Sequence, residues 1–266
     1  MAQRRPAETH WQMNPVSRAI FDRMEAAADE ALTPLRRNGL TVVEVGCGQQ
    51  TNVVFEGATR VIGVDVDQPA LVANTTVTDP VILSANELEL APESVDAISS
   101  IFTLEHVEEP DVVFGMLARA LRPGGVLVIA VPQVRSPKAI ITKFTPQSFH
   151  EWFYRRALGR DPGAHGTPFD TVLDPAIAPE RLRRLATALG LDVIAEESFE
   201  DNKQRQVRTK VHLNGRAWAA TRAISRALLR HDAADTDYIA VYRRSDRAPS
   251  GPVVDLLRST DPVDAG

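Results

Sequence analysis

The chain has 266 residues, 44% hydrophobic and 24% charged, enough apolar material for one sizeable core without requiring a second domain. Its formal net charge of −5 provides no global field for nucleic acid, and one cysteine, Cys47, excludes an internal disulfide or a zinc site of paired cysteines. No uncharged apolar run approaches a membrane span, and MAQRRPAETH leads into no signal-peptide core, so a soluble cytoplasmic protein is expected; the Arg- and Ala-rich composition suits a bacterium.

Along the chain, strand and helix patterns alternate. Asn14-Pro15 pairs a good N-cap with proline at the first helical position and opens an N-terminal helix over 14–38. Its apolar face carries Ile20, Phe21, Met24, Ala28, Ala31 and Leu35. TVVEV reads as a first buried strand, followed by a glycine turn and a short helical turn from Asn52 to Phe55. RVIGVD is a second strand, after which Asp67, Gln68 and Pro69 form a helix cap and start. PVILS and SVDAISS are the third and fourth strands; a helix from Pro110 to Leu121 closes at RPGG, and VLVIAVP is the fifth strand. Residues 133–178 break the rhythm with aromatics, arginines and turn residues. It resumes with a helix over Pro179–Leu189, capped by Gly190, the strand LDVIAEES, a basic helical insertion over 201–235 and a last strand, DYIAVYRR. The tail, 247–266, is rich in Pro, Ser, Gly and Asp and is expected to be disordered. Together these predict a single α/β domain over 1–246, a doubly wound, mostly parallel seven-stranded sheet with helices on both faces and an inserted cover after the fifth strand.

In such a sheet, ligands bind beyond the carboxyl ends of the strands. Glu44 and Asp65 end the first two strands there, at about the ~20-residue separation that links a glycine turn to a ribose-binding acid. Gly46 and Gly48 allow backbone to approach a ligand closely. The discriminating residue is Glu44, two positions before the first glycine. A pyrophosphate cofactor wants N–H donors and repels a carboxylate; an ammonium-bearing ligand without phosphate suits one.

The pattern E-V-G-C-G resembles the first motif of class I S-adenosylmethionine-dependent methyltransferases, and VIGVDVD resembles their second. SVDAISSIFTLEHVEEP followed by LRPGGVLVI is similar to their fourth strand, following helix and fifth strand, so the ordered resemblance covers roughly residues 40 to 132. It implies S-adenosylmethionine as cofactor, held by Glu44, Gly46, Cys47, Gly48 and Asp65, with Val66 against the adenine face. The family's third glycine is replaced by Gln50, and its frequent aspartate after the third strand by Ser84, Ala85 and Asn86; Ala85 and Asn86 are therefore assigned to the adenine side, with Asn86 as a side-chain acceptor.

These residues also have structural readings. Glu44 could instead pair with an arginine of the first helix, and Cys47 is better read as a small packing residue than as a nucleophile. His106, His150 and His165 are candidate catalytic bases, although the Glu105-His106 pair also suits helix capping and core hydrogen bonding. Some ubiquinone-type O-methyltransferases place a divalent metal near a similar Glu-His pair with another acid three residues earlier; here that position is Phe102, so no metal is expected. In FHEWFYRRALGR, Phe149, Trp152 and Phe153 share a helical face beside Arg155, Arg156 and Arg160. This segment is either a structural cap or an acceptor-side lid in which Phe149, Trp152, Phe153 and Arg156 contact substrate.

The expected activity is O-methylation of a small molecule such as a sugar, lipid precursor or secondary metabolite in biosynthesis. Nucleic acid is disfavoured by the acidic charge and by the lack of an Asn/Asp-Pro-Pro-aromatic motif after the fourth strand. The alternatives are a non-catalytic cofactor-binding scaffold and an NAD(P)-dependent oxidoreductase, the latter opposed by Glu44 and by Thr51 at the third glycine position of its fingerprint. The basic helix around Arg216 to Arg230 leaves room for peripheral contact with a membrane surface, without stable insertion. Oligomeric state is not legible.

Overall fold

The computed structural model describes residues 15–134, 136 and 174–246. The elements are helix α1 (Pro15–Leu32), strands β1 (Leu40–Val45) and β2 (Ala58–Asp65), helix α2 (Gln68–Ala73), strands β3 (Asp79–Ile82) and β4 (Val95–Ile101), helix α3 (Pro110–Ala120) and strand β5 (Leu121–Pro132). After the segment 137–173 come helix α4 (Pro179–Ala188), strand β6 (Leu191–Phe199), helices α5 (Asn202–Lys210) and α6 (Gly215–Leu229), and strand β7 (Asp237–Arg244). The described strands form one seven-stranded sheet of order β3-β2-β1-β4-β5-β7-β6. β1 to β5 are parallel, and β7 runs antiparallel to both β5 and β6.

The central strands are apolar runs because both their faces are covered: every residue of β4 is buried, as are Val126 to Val131 of β5. On one face α1 seats Ile20, Phe21, Met24, Ala28 and Leu32 against Val42, Val126, Val128 and Val241, with Phe21 edge-on to Phe199 at 6.3 Å between ring centroids. On the other, α3 and α4 bury Phe114, Leu117, Leu182 and Leu185 with Ile98, Leu127 and Tyr242, and Phe114 meets the Tyr242 ring at 5.7 Å and 88°. Both aromatic pairs have the perpendicular geometry that ring quadrupoles favour.

Four sequence readings need adjustment. The helical turn expected from Asn52 to Phe55 is not formed; the chain crosses from β1 to β2 in turns and bends. It is short of the length a nucleated helix needs, and its Asn52 and Val54 N–H groups are taken by the Glu44 and Glu25 carboxylates. The N-terminal helix ends at Leu32, with a separate 3-10 turn at Arg36–Asn38 terminated by Gly39 at φ 75°. RPGG lies inside β5, where register shifts between Val95 and Ala97, rather than before it. The basic insertion is two helices, broken where His212 and Gly215 take positive φ. The cap at Asp67 is as expected, its side chain accepting from the Ala70 N–H at 3.0 Å. The cover over 137–173 and the tail beyond 246 lie outside the described residues.

Phe114 is fully buried and ties α3 to β7, so Phe114→Ala should lower unfolding free energy by about 3–5 kcal/mol, measured by urea denaturation; a loss under about 1 kcal/mol would show that this layer is not packed as described.

Candidate functional site

Glu44 lies in β1 with Val42, Val43 and Val45 buried around it, and is itself only 2% exposed. Its Oε1 accepts the Asn52 N–H at 2.9 Å, while Oε2 is buried with no hydrogen-bond partner among the described residues. Burial pushes its carboxyl up to about 7; the Asn52 N–H and the nearby Thr51 hydroxyl oppose this and the Asp65 charge adds to it. The arginines at the start of α1 pair elsewhere, Arg18 with Asp22 and Arg23 with Glu197, so the ion-pair reading of Glu44 fails.

Asp65 ends β2 beside this turn. Its Oδ2 accepts the Gly48 N–H at 2.7 Å and its Oδ1 accepts the Asp67 N–H at 2.8 Å. The loop is thus pinned from both strands by carboxylates accepting backbone N–H groups. The two glycines differ in what they need. At Gly46, with φ 72°, a Cβ would stand 2.0 Å from Thr103 Oγ1. That hydroxyl cannot move aside freely, because it bonds to the Val45 and Ile101 carbonyls at 3.0 and 3.3 Å. At Gly48, with φ 51°, a Cβ would meet nothing within 4 Å. Gly46 locks β1 to the end of β4; Gly48 borders open space.

Around that space Val66 is 51% exposed, an uncovered apolar side chain directly after Asp65. β3 ends alongside, with the Leu83 N–H on the Asp65 carbonyl at 3.2 Å, which brings Ala85 and Asn86 to the same rim. Ala85 is half-buried and Asn86 exposed, its N–H on Ser84 Oγ at 3.3 Å. The Cys47 side chain faces away from the rim: it is 1% exposed, its Sγ lies 3.0 Å from where a Gly63 Cβ would be, and burial pushes the thiol up to about 12. It packs the underside of the turn, and only its backbone could serve a ligand.

Beyond β4, Phe102 adopts φ 53°, a left-handed conformation costly for a bulky side chain, and turns the chain into the 3-10 turn Leu104–His106. His106 is exposed on it, and Glu105 is buried beneath at 5% exposure. Burial pushes Glu105 up to about 8, with the charge of Asp237 adding to the effect, and its Oε2 has no hydrogen-bond partner among the described residues. Asp237 opens β7 opposite Pro132, and Gln133 follows with its Nε2 on Ser198 Oγ at 3.2 Å. Thr103, Asn52, Asp237 and Gln133 were not singled out from the sequence, because their importance comes from which strand ends the topology brings together. For Thr103 a signal existed: a residue facing a Gly46 turn is expected at the end of the neighbouring strand. His150, His165, Phe149, Trp152, Phe153 and Arg156 lie outside the described residues.

A mostly parallel sheet of this order, with β7 alone reversed and a glycine turn after β1 facing an acid at the end of β2, is the Rossmann-like fold of a class I methyltransferase. Residues 43–129 match the family model of a methyltransferase domain. It is similar to a ubiquinone biosynthesis O-methyltransferase of Agrobacterium fabrum, 27% identical over 166 residues that make up 59% of this chain and 61% of that one. The match thus spans about 61% of that relative's length. A "Probable S-adenosylmethionine-dependent methyltransferase" of Mycolicibacterium smegmatis is 33% identical over 100 residues, 35% of this chain and 38% of the relative. In fold, a "putative methyltransferase" from Bacillus halodurans superposes with a TM-score of 0.50 at 11% identity, covering 85% of this chain and 99% of that one.

Two predictions follow from this geometry. Gly46→Ala should destabilise by about 3 kcal/mol or more, whereas Gly48→Ala, strained only in its backbone, should cost about 1–2 kcal/mol; equal losses on thermal unfolding would contradict the assignment of the two glycines. The second concerns pH. Glu44 and Glu105 bind their protons more tightly in the folded chain than at the ordinary value of 4.5, so their favourable contribution is full below that value and is lost as pH rises through about 7 and about 8. Denaturation at about pH 5 and about pH 9 should therefore show a fall in stability that narrows in Glu105→Gln; an unchanged pH dependence in that variant would remove Glu105 from the account.

Proposed function

We propose that the chain is an S-adenosylmethionine-dependent O-methyltransferase acting on a small-molecule acceptor in the bacterial cytoplasm. The observation that carries this reading is the turn itself: among the described residues, an open space at Gly48 between two carboxylates, one of which retains a buried oxygen with no hydrogen-bond partner. The donor set fits the cofactor. Each Asp65 oxygen accepts one N–H and keeps a lone pair for a ribose hydroxyl. Glu44 Oε2 is available to an ammonium group, whose charge would draw the carboxyl back below about 7. Val66 offers an apolar wall to adenine, Ala85 and Asn86 its edge, and the Gly46-Cys47-Gly48 backbone a close approach. A pyrophosphate would meet the Glu44 carboxylate, which disfavours a nicotinamide dinucleotide.

When bound, S-adenosylmethionine supplies a methyl group on a sulfonium for in-line displacement. The chain's own part is to orient the acceptor, exclude water and receive the proton that leaves the attacking hydroxyl. Among the described candidates His106 is the exposed base at the right edge of the sheet, with Glu105 buried beneath it as a support. His150 and His165 remain the alternatives, and Phe149, Trp152, Phe153 and Arg156 the proposed acceptor contacts, on their sequence pattern. Oxygen as the methylated atom is favoured by the names of the relatives.

Calorimetry should show S-adenosylhomocysteine binding and no NADH binding, with Asp65→Ala weakening the former by about 1.5–3 kcal/mol, as expected for hydrogen bonds to a charged group. NADH binding in its place would overturn the proposal. With an acceptor in hand, turnover should persist in excess chelator and fall in His106→Ala; loss of activity on chelation, restored by a divalent ion, would show that the Glu105–His106 turn holds a metal.

A further inference from the structure

The insertion between β6 and β7 departs from the rest of the chain in charge. Residues 201–236 contain eight Lys and Arg against three Asp and Glu, a net of +5 in a chain whose formal net charge is −5. The insertion rises from the same edge of the sheet as the glycine turn, since Phe199 and Pro132 are both in register with Asp237.

Its inner side is held by defined contacts. Arg208 bonds Glu200 at 2.9 and 3.0 Å and lies over the Trp218 ring at 4.9 Å. Arg222 and Arg226 converge on Asp232 at 2.8 and 2.6 Å, and Ser225 Oγ donates to the His231 carbonyl at 2.7 Å. Trp218 and Ser225 therefore fix which side of α6 faces the body. Ala217, Ala220, Ala223, Ile224, Ala227 and Leu228 are all exposed, and Ile224 and Leu228, about one turn apart, share one flank of the helix. Ile224 is 59% exposed and Leu228 77%. Arg216 and Arg230 stand exposed at the two ends of this apolar crest, and α6 contains no acidic residue. A solvated helix normally carries free charges along its exposed side; here Arg222 and Arg226 are tied to Asp232 and Arg216 and Arg230 sit at the ends, leaving Ile224 and Leu228 exposed between them.

We propose that α6 is a docking surface for an anionic phospholipid bilayer, its Ile224–Leu228 crest lying in the headgroup–acyl boundary and Arg216 and Arg230 meeting the lipid phosphates. The combination selects this occupant. A basic field alone would suit nucleic acid, but the aliphatic crest has no role on a phosphate backbone. A second copy docked symmetrically through α6 would oppose arginine-ended helices of like charge. Lipid offers both an apolar layer and negative charge. Resting on the methyltransferase reading, the placement of α6 at the cofactor edge also specifies the acceptor class: an amphipathic hydroxyl compound taken from the membrane interface.

The test is co-sedimentation of the full chain with phosphatidylglycerol–phosphatidylcholine vesicles and with phosphatidylcholine alone, alongside calorimetry with S-adenosylhomocysteine. Binding should occur to the anionic vesicles, weaken with added salt, and fall about tenfold or more in both Ile224→Glu/Leu228→Glu and Arg216→Glu/Arg230→Glu, while S-adenosylhomocysteine affinity and circular dichroism stay unchanged. No binding to anionic vesicles overturns the proposal, as do variants that bind like the parent. Nucleic-acid binding or self-association through the same residues, without vesicle binding, also overturns it. Vesicle failure with S-adenosylhomocysteine still bound removes the docking surface alone; vesicle binding without S-adenosylhomocysteine binding supports the docking surface and removes the methyltransferase reading.

Discussion

The loop after β1 is held by two carboxylates that accept backbone N–H groups rather than pairing with cations, Glu44 with Asn52 and Asp65 with Gly48 and Asp67. Everything at the candidate site depends on this arrangement. With no helix between β1 and β2 to present its N-terminus, the loop's amides need acceptors, and the strand ends supply them. The cost falls on Glu44, which is desolvated with one oxygen unpartnered and carries a carboxyl displaced to about 7. That is the pattern of a group whose environment is completed by a charge that the described residues do not supply.

Much of this was legible in the sequence because the signals were local. Glu44 interrupts a strand that is otherwise apolar, glycine follows at two positions, and Asp65 ends the next strand at the expected distance. The strand assignments held for the same reason: β1, β4, β5 and β7 are short β-rich runs covered on both faces, which no other element satisfies. What failed was either non-local or a matter of helix nucleation. The Asn52–Phe55 turn is not formed because Asn-Val-Val-Phe is short and poor in helix formers, and nothing nucleates it. Thr103 matters only because β4 lies beside β1, and Glu105 feels the Asp237 charge only because the topology brings the start of β7 near it. A linear reading does not contain those adjacencies until the strand order is known.

The polar edge of the sheet is divided by function. At the β1–β2 end, carboxylates organise a turn around open space; toward β5, β6 and β7, Gln133, Glu105 and Asp237 are buried, with Gln133 bonded to the half-buried Ser198 and His106 exposed. The basic helices α5 and α6 rise from that second end. The net negative charge of the chain therefore averages over two unlike surfaces, and total charge is a poor guide to what either attracts.

The central claim is that Glu44 and Asp65 together define the cofactor position, and a crystal structure of the protein with S-adenosylhomocysteine tests it most directly. The account predicts ribose hydroxyls donating to Asp65 and the ammonium end of the ligand beside Glu44 and the Gly46–Gly48 backbone. A ligand bound away from this turn, leaving both carboxylates as they are in the free chain, would contradict it.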